Sequence, residues 1–148
     1  MIGPPEVMSW VARAKQAADL HTSSFAQFLL ANVVQQPGWL DAQKARIVPM
    51  YRDRCVALAD ALEAALGDRI SFHRPDGGMF LWTRFTDIPD TTALLQHALR
   101  EGVAFVPGNA FTIDQVPDSK ARFSYSTLSP AQLGTAVQRL ARAVDAAS

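Results

Sequence analysis

The 148 residues predict an α+β fold: a small, mostly antiparallel sheet with helices packed on it, preceded by helices and a long bent connecting helix. Three observations carry that expectation. The second half alternates short strand patterns with helical ones in the order β-β-α-β-β-α, which layers helices on a sheet. Residues 39–66 keep helical apolar spacing through an internal Pro49, a residue that kinks a helix by removing one hydrogen bond and crowding the preceding turn. The strand-like runs are short and bounded by Pro-Gly, Asp-Gly and Gly-Gly turns.

Taken in order, Met1-Ile2-Gly3 reads like the end of a strand, and Pro4-Pro5-Glu6 opens a helix. Val7, Trp10, Val11, Ala14, Ala17 and Ala18 share one face of it. Thr22 or Ser23 caps a second helix over 25–34, with Phe25, Phe28, Leu29 and Val33 on a face suited to burial. The long helix follows to Leu66, with Gly67 as its C-cap. Ile70 to Phe85 is a hairpin with a wide turn at 74–78, its second strand central because it is apolar at most positions. Residues 90–92 cap a helix over 93–100, and Gly102 ends it. Residues 103–106 form a buried strand, and 122–127 form a half-buried strand in which aromatic and small polar residues alternate. Ser129-Pro130 starts the last helix. Three regions result: 1–38 helical, 39–67 the connecting helix, and 68–148 a small α+β domain.

Composition removes several function classes. Formal net charge is +0, so there is no electrostatic footprint for nucleic acid or an anionic membrane. No apolar run approaches the roughly 20 residues that span a bilayer. The start lacks a signal-peptide pattern, which together with the single Cys55 predicts a reducing cytoplasm. His21, His73 and His97 have no metal-ligand spacing, so no metal site is expected. Phosphate-loop and nucleophile-elbow patterns are absent, and Trp10, Trp39 and Trp82 fall at core or interface spacing.

Arg122 is the strongest site candidate. It lies on the polar parity of its strand with Ser124 and Ser126, and a guanidinium on a rigid strand suits a planar carboxylate gripped through two parallel hydrogen bonds. The plain alternative is a rim arginine paired with Asp114 or Asp118. His21-Thr22-Ser23 is otherwise an ordinary interhelical turn.

Four stretches, RAKQAADLHTSS, RPDGGMFLW, EGVAFVPGNAF and ARFSYSTLSP, in this order and spacing, resemble the C-terminal part of fold-type I pyridoxal-phosphate aminotransferases of class I/II. The branch it most resembles is the one acting on 2-aminoadipate, aromatic or branched-chain amino acids, which also contains aminotransferase-like transcription regulators. The resemblance implies that Arg122 grips the substrate α-carboxylate, that Asn109 and Phe111 line the cleft entrance, and that the turn with His21, Thr22 and Ser23 reaches the partner subunit's site in a homodimer. It implies amino acid and 2-oxo acid substrates, with pyridoxal 5'-phosphate in the complete enzyme and none bound by this chain alone. The imine-forming lysine of the family has no counterpart here, since Lys15, Lys44 and Lys120 fall in the wrong context, two on helix faces and one in a loop. The expected function is therefore the C-terminal part of an aminotransferase, inactive alone and catalytically without a residue of its own. The alternatives are the effector-sensing domain of a regulator and a non-catalytic α+β dimerising module. If the first helices lack a packing partner, Met8, Trp10, Phe25 and Phe28 present an apolar patch.

Overall fold

The computed structural model describes residues 2–147. The chain forms two compact units, Met1–Ala45 and Arg46–Ser148. The first contains α1 (Pro5–Asp19), α2 (Ser24–Val34) and the start of α3 (Trp39–Leu66). Proline in the first turn sets the α1 entry, and the Ser23 hydroxyl caps α2 by accepting from Ala26 N at 3.4 Å. Neither α1 nor α2 has a buried residue. Their apolar faces are open, with Trp10 70%, Phe25 71% and Phe28 67% exposed, whereas Met8 is half-buried. Helical periodicity records that a face is apolar, not that something covers it. Met1 of the anticipated strand end lies outside the described residues, and Ile2-Gly3 belong to no strand.

The second unit is the α+β layer. Its sheet has the order β1-β2-β4-β3, from β1 (Ile70–Phe72), β2 (Phe80–Phe85), β3 (Val106–Pro107) and β4 (Lys120–Ser124), and all three pairings are antiparallel. β1 and β2 form the anticipated hairpin, and β2 is interior to the sheet. Leu81, Thr83 and Phe85 alternate inward along β2, with Ala121 and Phe123 beside them on β4. Thr83 Oγ1 donates to Ala121 O at 3.1 Å, so this buried hydroxyl is satisfied across the strand pair. Helices α4 (Thr91–Arg100) and α5 (Pro130–Ala147) join the C-terminal half of α3 in the same core. Leu58, Leu62 and Leu66 come from α3, Leu94 and Ala98 from α4, and Leu133, Val137, Leu140 and Val144 from α5. Asp90 caps α4 through Thr92 N at 2.8 Å. Ser129 and Gln132 cap α5 reciprocally, each accepting from the other's backbone N–H.

Several strand boundaries differ from expectation, among them the end of β4 at Ser124 rather than at residue 127. Of the strand expected over 103–106 only Val106 pairs, and Pro107 of the expected turn joins it, because β3 meets β4 at just Val106↔Arg122 and Pro107↔Ala121. Val103 and Phe105 are still buried, Phe105 against Phe123 with ring centroids 5.3 Å apart. An apolar run therefore reported burial here, not a hydrogen-bonded ladder. β4 begins at Lys120 rather than Arg122, because Lys120 pairs with Arg84 of β2. Lys120 is thus a strand residue, not a loop residue. Trp10, Trp39 and Trp82 are 70%, 39% and 42% exposed, so none is a core residue. No helix among the described residues is long and apolar enough to cross a membrane.

Candidate functional site

The outer face of the second unit's sheet is built by parity. Phe80, Trp82 and Arg84 of β2 point the same way as Lys120, Arg122 and Ser124 of β4, opposite to the buried set. The register sets Trp82 directly across from Arg122, with Phe80 one diagonal step away, close enough for an aromatic ring to meet a long side chain. Arg122 Cζ lies 4.1 Å from the centroid of the Phe80 ring. Phe111, on the 3-10 turn Gly108–Phe111, reaches the same guanidinium at 4.9 Å. The Trp82 and Phe111 rings form a T-shaped pair, with centroids 5.1 Å apart and planes at 81°.

That 3-10 turn is held close to β4. A Cβ at Gly108 would lie 2.7 Å from Asp118 Oδ2 and 2.9 Å from Lys120 O, so only glycine fits without a shift of backbone. The Thr91 hydroxyl oxygen lies 2.9 Å from Asp118 O and 2.6 Å from Lys120 O, and it accepts from Gly108 N at 3.4 Å. Asn109 and Phe111 ride on this anchored turn, and Asn109 O accepts from Thr112 Oγ1 at 3.0 Å.

The electrostatics of Arg122 set it apart. Three arginines are half-buried: Arg54, Arg69 and Arg122. Arg54 donates to Ser126 O. Arg69 holds Asp87 at 2.5 Å and Asp145 at 2.6 Å, and these two carboxylates raise its pKa above the ordinary value. Arg122 has no acidic partner among the described residues, and its Nε is buried without an acceptor. Asp118, one of the two partners that the rim alternative required, is engaged instead with Lys120, through Nζ at 3.5 Å and backbone N at 3.1 Å.

His21, Thr22 and Ser23 lie in the first unit, on the turn between α1 and α2. His21 Nδ1 is 2.9 Å from Thr22 O, and Ser23 is committed to its capping bond. Sequence reasoning passed over Phe80 and Trp82. The available signal was the Phe-x-Trp-x-Arg parity of residues 80–84, which marks a strand whose outer face carries large side chains. A cavity of about 390 Å³ lies elsewhere in the second unit, between α3 and the 74–78 turn, lined by Tyr51, Cys55, Asp76 and Tyr125 among others. It includes none of Asn109, Phe111 and Arg122.

Each lysine is tied to a carboxylate: Lys15 to Asp19 at 2.8 Å, Lys44 to Asp41 at 2.7 Å, and Lys120 to Asp118 at 3.5 Å. Lys15 and Lys44 stand on solvent-exposed helix faces, and Lys120 is held against Asp118 beside its own strand, so none of the three sits in an enclosed cradle of the kind an imine with pyridoxal phosphate needs. Among the described residues no group of three or more His, Cys, Asp or Glu is gathered as a metal ion would require.

A short antiparallel sheet packed by helices on one face is an architecture this chain shares with known enzymes. The family described as aminotransferase class I and II matches residues 1–140. The 2-aminoadipate transaminase of Thermus thermophilus is 32% identical over 143 residues, covering 97% of this chain and 36% of that protein. The mitochondrial kynurenine/alpha-aminoadipate aminotransferase of Mus musculus is 32% identical over 149 residues, covering 97% and 35%. Among solved structures, the alpha-aminoadipate aminotransferase of Thermus thermophilus, complexed with N-(5'-phosphopyridoxyl)-L-leucine, superposes with a TM-score of 0.78 at 32% identity, over 98% of this chain and 37% of that one. The chain belongs to the class I and II aminotransferase family, and its fold is that of the C-terminal part of the fold-type I pyridoxal-phosphate enzymes. It spans about a third of the length of the curated relatives it matches.

Proposed function

We propose that this chain supplies the carboxylate-binding part of an aminotransferase that moves an amino group between an amino acid and a 2-oxo acid. Arg122 receives the substrate α-carboxylate through its in-plane N–H donors, and Asn109 and Phe111 border the approach. The observation that carries this reading is a half-buried, strand-mounted guanidinium with no acidic partner among the described residues, where the comparable arginines are satisfied. A charge left uncompensated on a rigid element binds anions, because the protein has already met the cost of partly desolvating it. Pyridoxal phosphate, when bound in enzymes of this family, supplies the electron sink; what this chain contributes is grip and orientation of the substrate.

Titration of the purified chain with 2-aminoadipate and its 2-oxo acid tests the assignment. Arg122→Ala should weaken binding by about tenfold to a hundredfold, the worth of a charged hydrogen-bond pair of about 1.5–3 kcal/mol. Arg122→Lys should recover only part of this, since an ammonium lacks the planar fork. Equal binding by the wild type and Arg122→Ala would remove the proposal. We further propose that the lysines of this chain do not carry the cofactor imine. Borohydride reduction after incubation with pyridoxal phosphate should leave no stoichiometric adduct on Lys15, Lys44 or Lys120, and one labelled lysine would overturn that statement.

A further inference from the structure

We propose that Phe80 and Phe111 form an aromatic clamp that positions the Arg122 guanidinium while leaving its charge uncompensated, and that Trp82 braces the clamp through Phe111. The inference rests on the reading of Arg122 as a carboxylate receptor and adds the residues that hold it ready.

The argument starts from what immobilises an arginine. A free arginine side chain has several rotatable bonds, and ordering it for a ligand costs conformational entropy at the moment of binding. Proteins usually remove that cost with an acidic partner, as this chain does at Arg69 with Asp87 and Asp145, at Arg74 with Asp60 and Glu63, and at Arg142 with Glu101. An acidic partner fixes the guanidinium but also occupies its donors and cancels its charge. A ring face fixes it differently. The negative face of an aromatic ring attracts the cation without accepting its in-plane hydrogen bonds. Arg122 has two such faces, at 4.1 and 4.9 Å, and no carboxylate among the described residues.

The arrangement is anchored on both sides. Phe80 sits on the interior strand β2, diagonal to Arg122 in the register. Phe111 sits on the turn pinned by Gly108 and Thr91, and the Trp82 and Phe111 rings pack nearly perpendicular to one another. The buried Nε without an acceptor fits the same picture, because a donor covered by π faces is withdrawn from water without being spent on a protein acceptor. Phe80 and Phe111 are therefore positioning residues: they act on substrate through Arg122.

The test is a pyruvate titration of the full 148-residue chain, followed through the arginine Nε–Hε resonances, with Arg122→Ala identifying the Arg122 signal. Pyruvate has no side chain large enough to need the rings for its own contacts. In the wild type the Arg122 Nε–Hε signal should be displaced by ring currents and should move as pyruvate binds. Phe80→Leu keeps an apolar side chain at a position 41% exposed but removes the π face. It should collapse the ring-current displacement and weaken pyruvate binding by about threefold to thirtyfold, the range of one to two cation–π contacts. Phe80→Tyr should restore both, a rescue that a purely packing role would not distinguish from leucine. Phe111→Leu makes the same test from the other ring and serves if Phe80→Leu does not fold. Arg122-dependent pyruvate binding that Phe80→Leu and Phe111→Leu leave unchanged would overturn the clamp and leave the carboxylate assignment standing. Binding that Arg122→Ala leaves unchanged would overturn both.

Discussion

Tyr125 ends the aromatic alternation that begins beside Arg122, and it turns the other way, almost wholly buried, with its hydroxyl 3.5 Å from Gly77 O. Burial, and then a hydrogen bond with Cys55, push the hydroxyl pKa from 10.0 up to about 12. The folded state therefore holds the neutral phenol more tightly than the unfolded chain does. The stability this contributes is fully present below pH about 10 and is lost as pH rises to about 12. Urea denaturation at stepped alkaline pH should show that loss in the wild type and a smaller one in Tyr125→Phe. Arg122 on β4 and Tyr125 just past its end illustrate what parity decides: one face sends a guanidinium outward, the other sends a phenol into the core. That parity was legible in residues 122–127. The contacts of Arg122 were not, because Phe80 is far from it in the chain and meets it only through the β2–β4 register.

At the level of elements, α3 shows how much a repeating pattern withholds. Its apolar spacing runs from Trp39 to Leu66 without a break, and the helix does the same, with Pro49 inside it. Its burial does not: Leu58, Ala59, Leu62 and Leu66 are buried, while Leu40 is 47% exposed. Leu62→Ala should cost about 2–5 kcal/mol by chemical denaturation, the usual penalty for a buried leucine. Leu40→Ala should fall within about 0.5 kcal/mol of the wild type, as exposed positions do. A similar cost at both positions would mean that the two halves of the helix are packed alike. Caps and turn residues were the most legible features, since Ser23, Asp90 and Ser129 act through bonds to their own neighbours. Strand limits were the least legible. β3 is cut to Val106–Pro107 by what β4 offers it, which no local pattern of 103–107 contains.

Across the whole molecule, the two units differ in how they use their apolar residues. The second encloses a core drawn from three helices and the sheet. In α1 and α2 nothing is buried, and Trp10, Phe25, Phe28 and Leu30 stay more than half exposed. Formal net charge is +0 and the isoelectric point is near 6.8. Near neutral pH the chains therefore lack the mutual repulsion that keeps sticky surfaces apart. Light scattering across a pH series should show turbidity greatest near pH 6.8. It should fall on either side as net charge builds, and Phe25→Ser with Phe28→Ser should flatten the maximum. The open helix faces thus set a colloidal property: they make the purification pH a determinant of yield, and they favour buffers well away from neutrality for handling this chain in isolation.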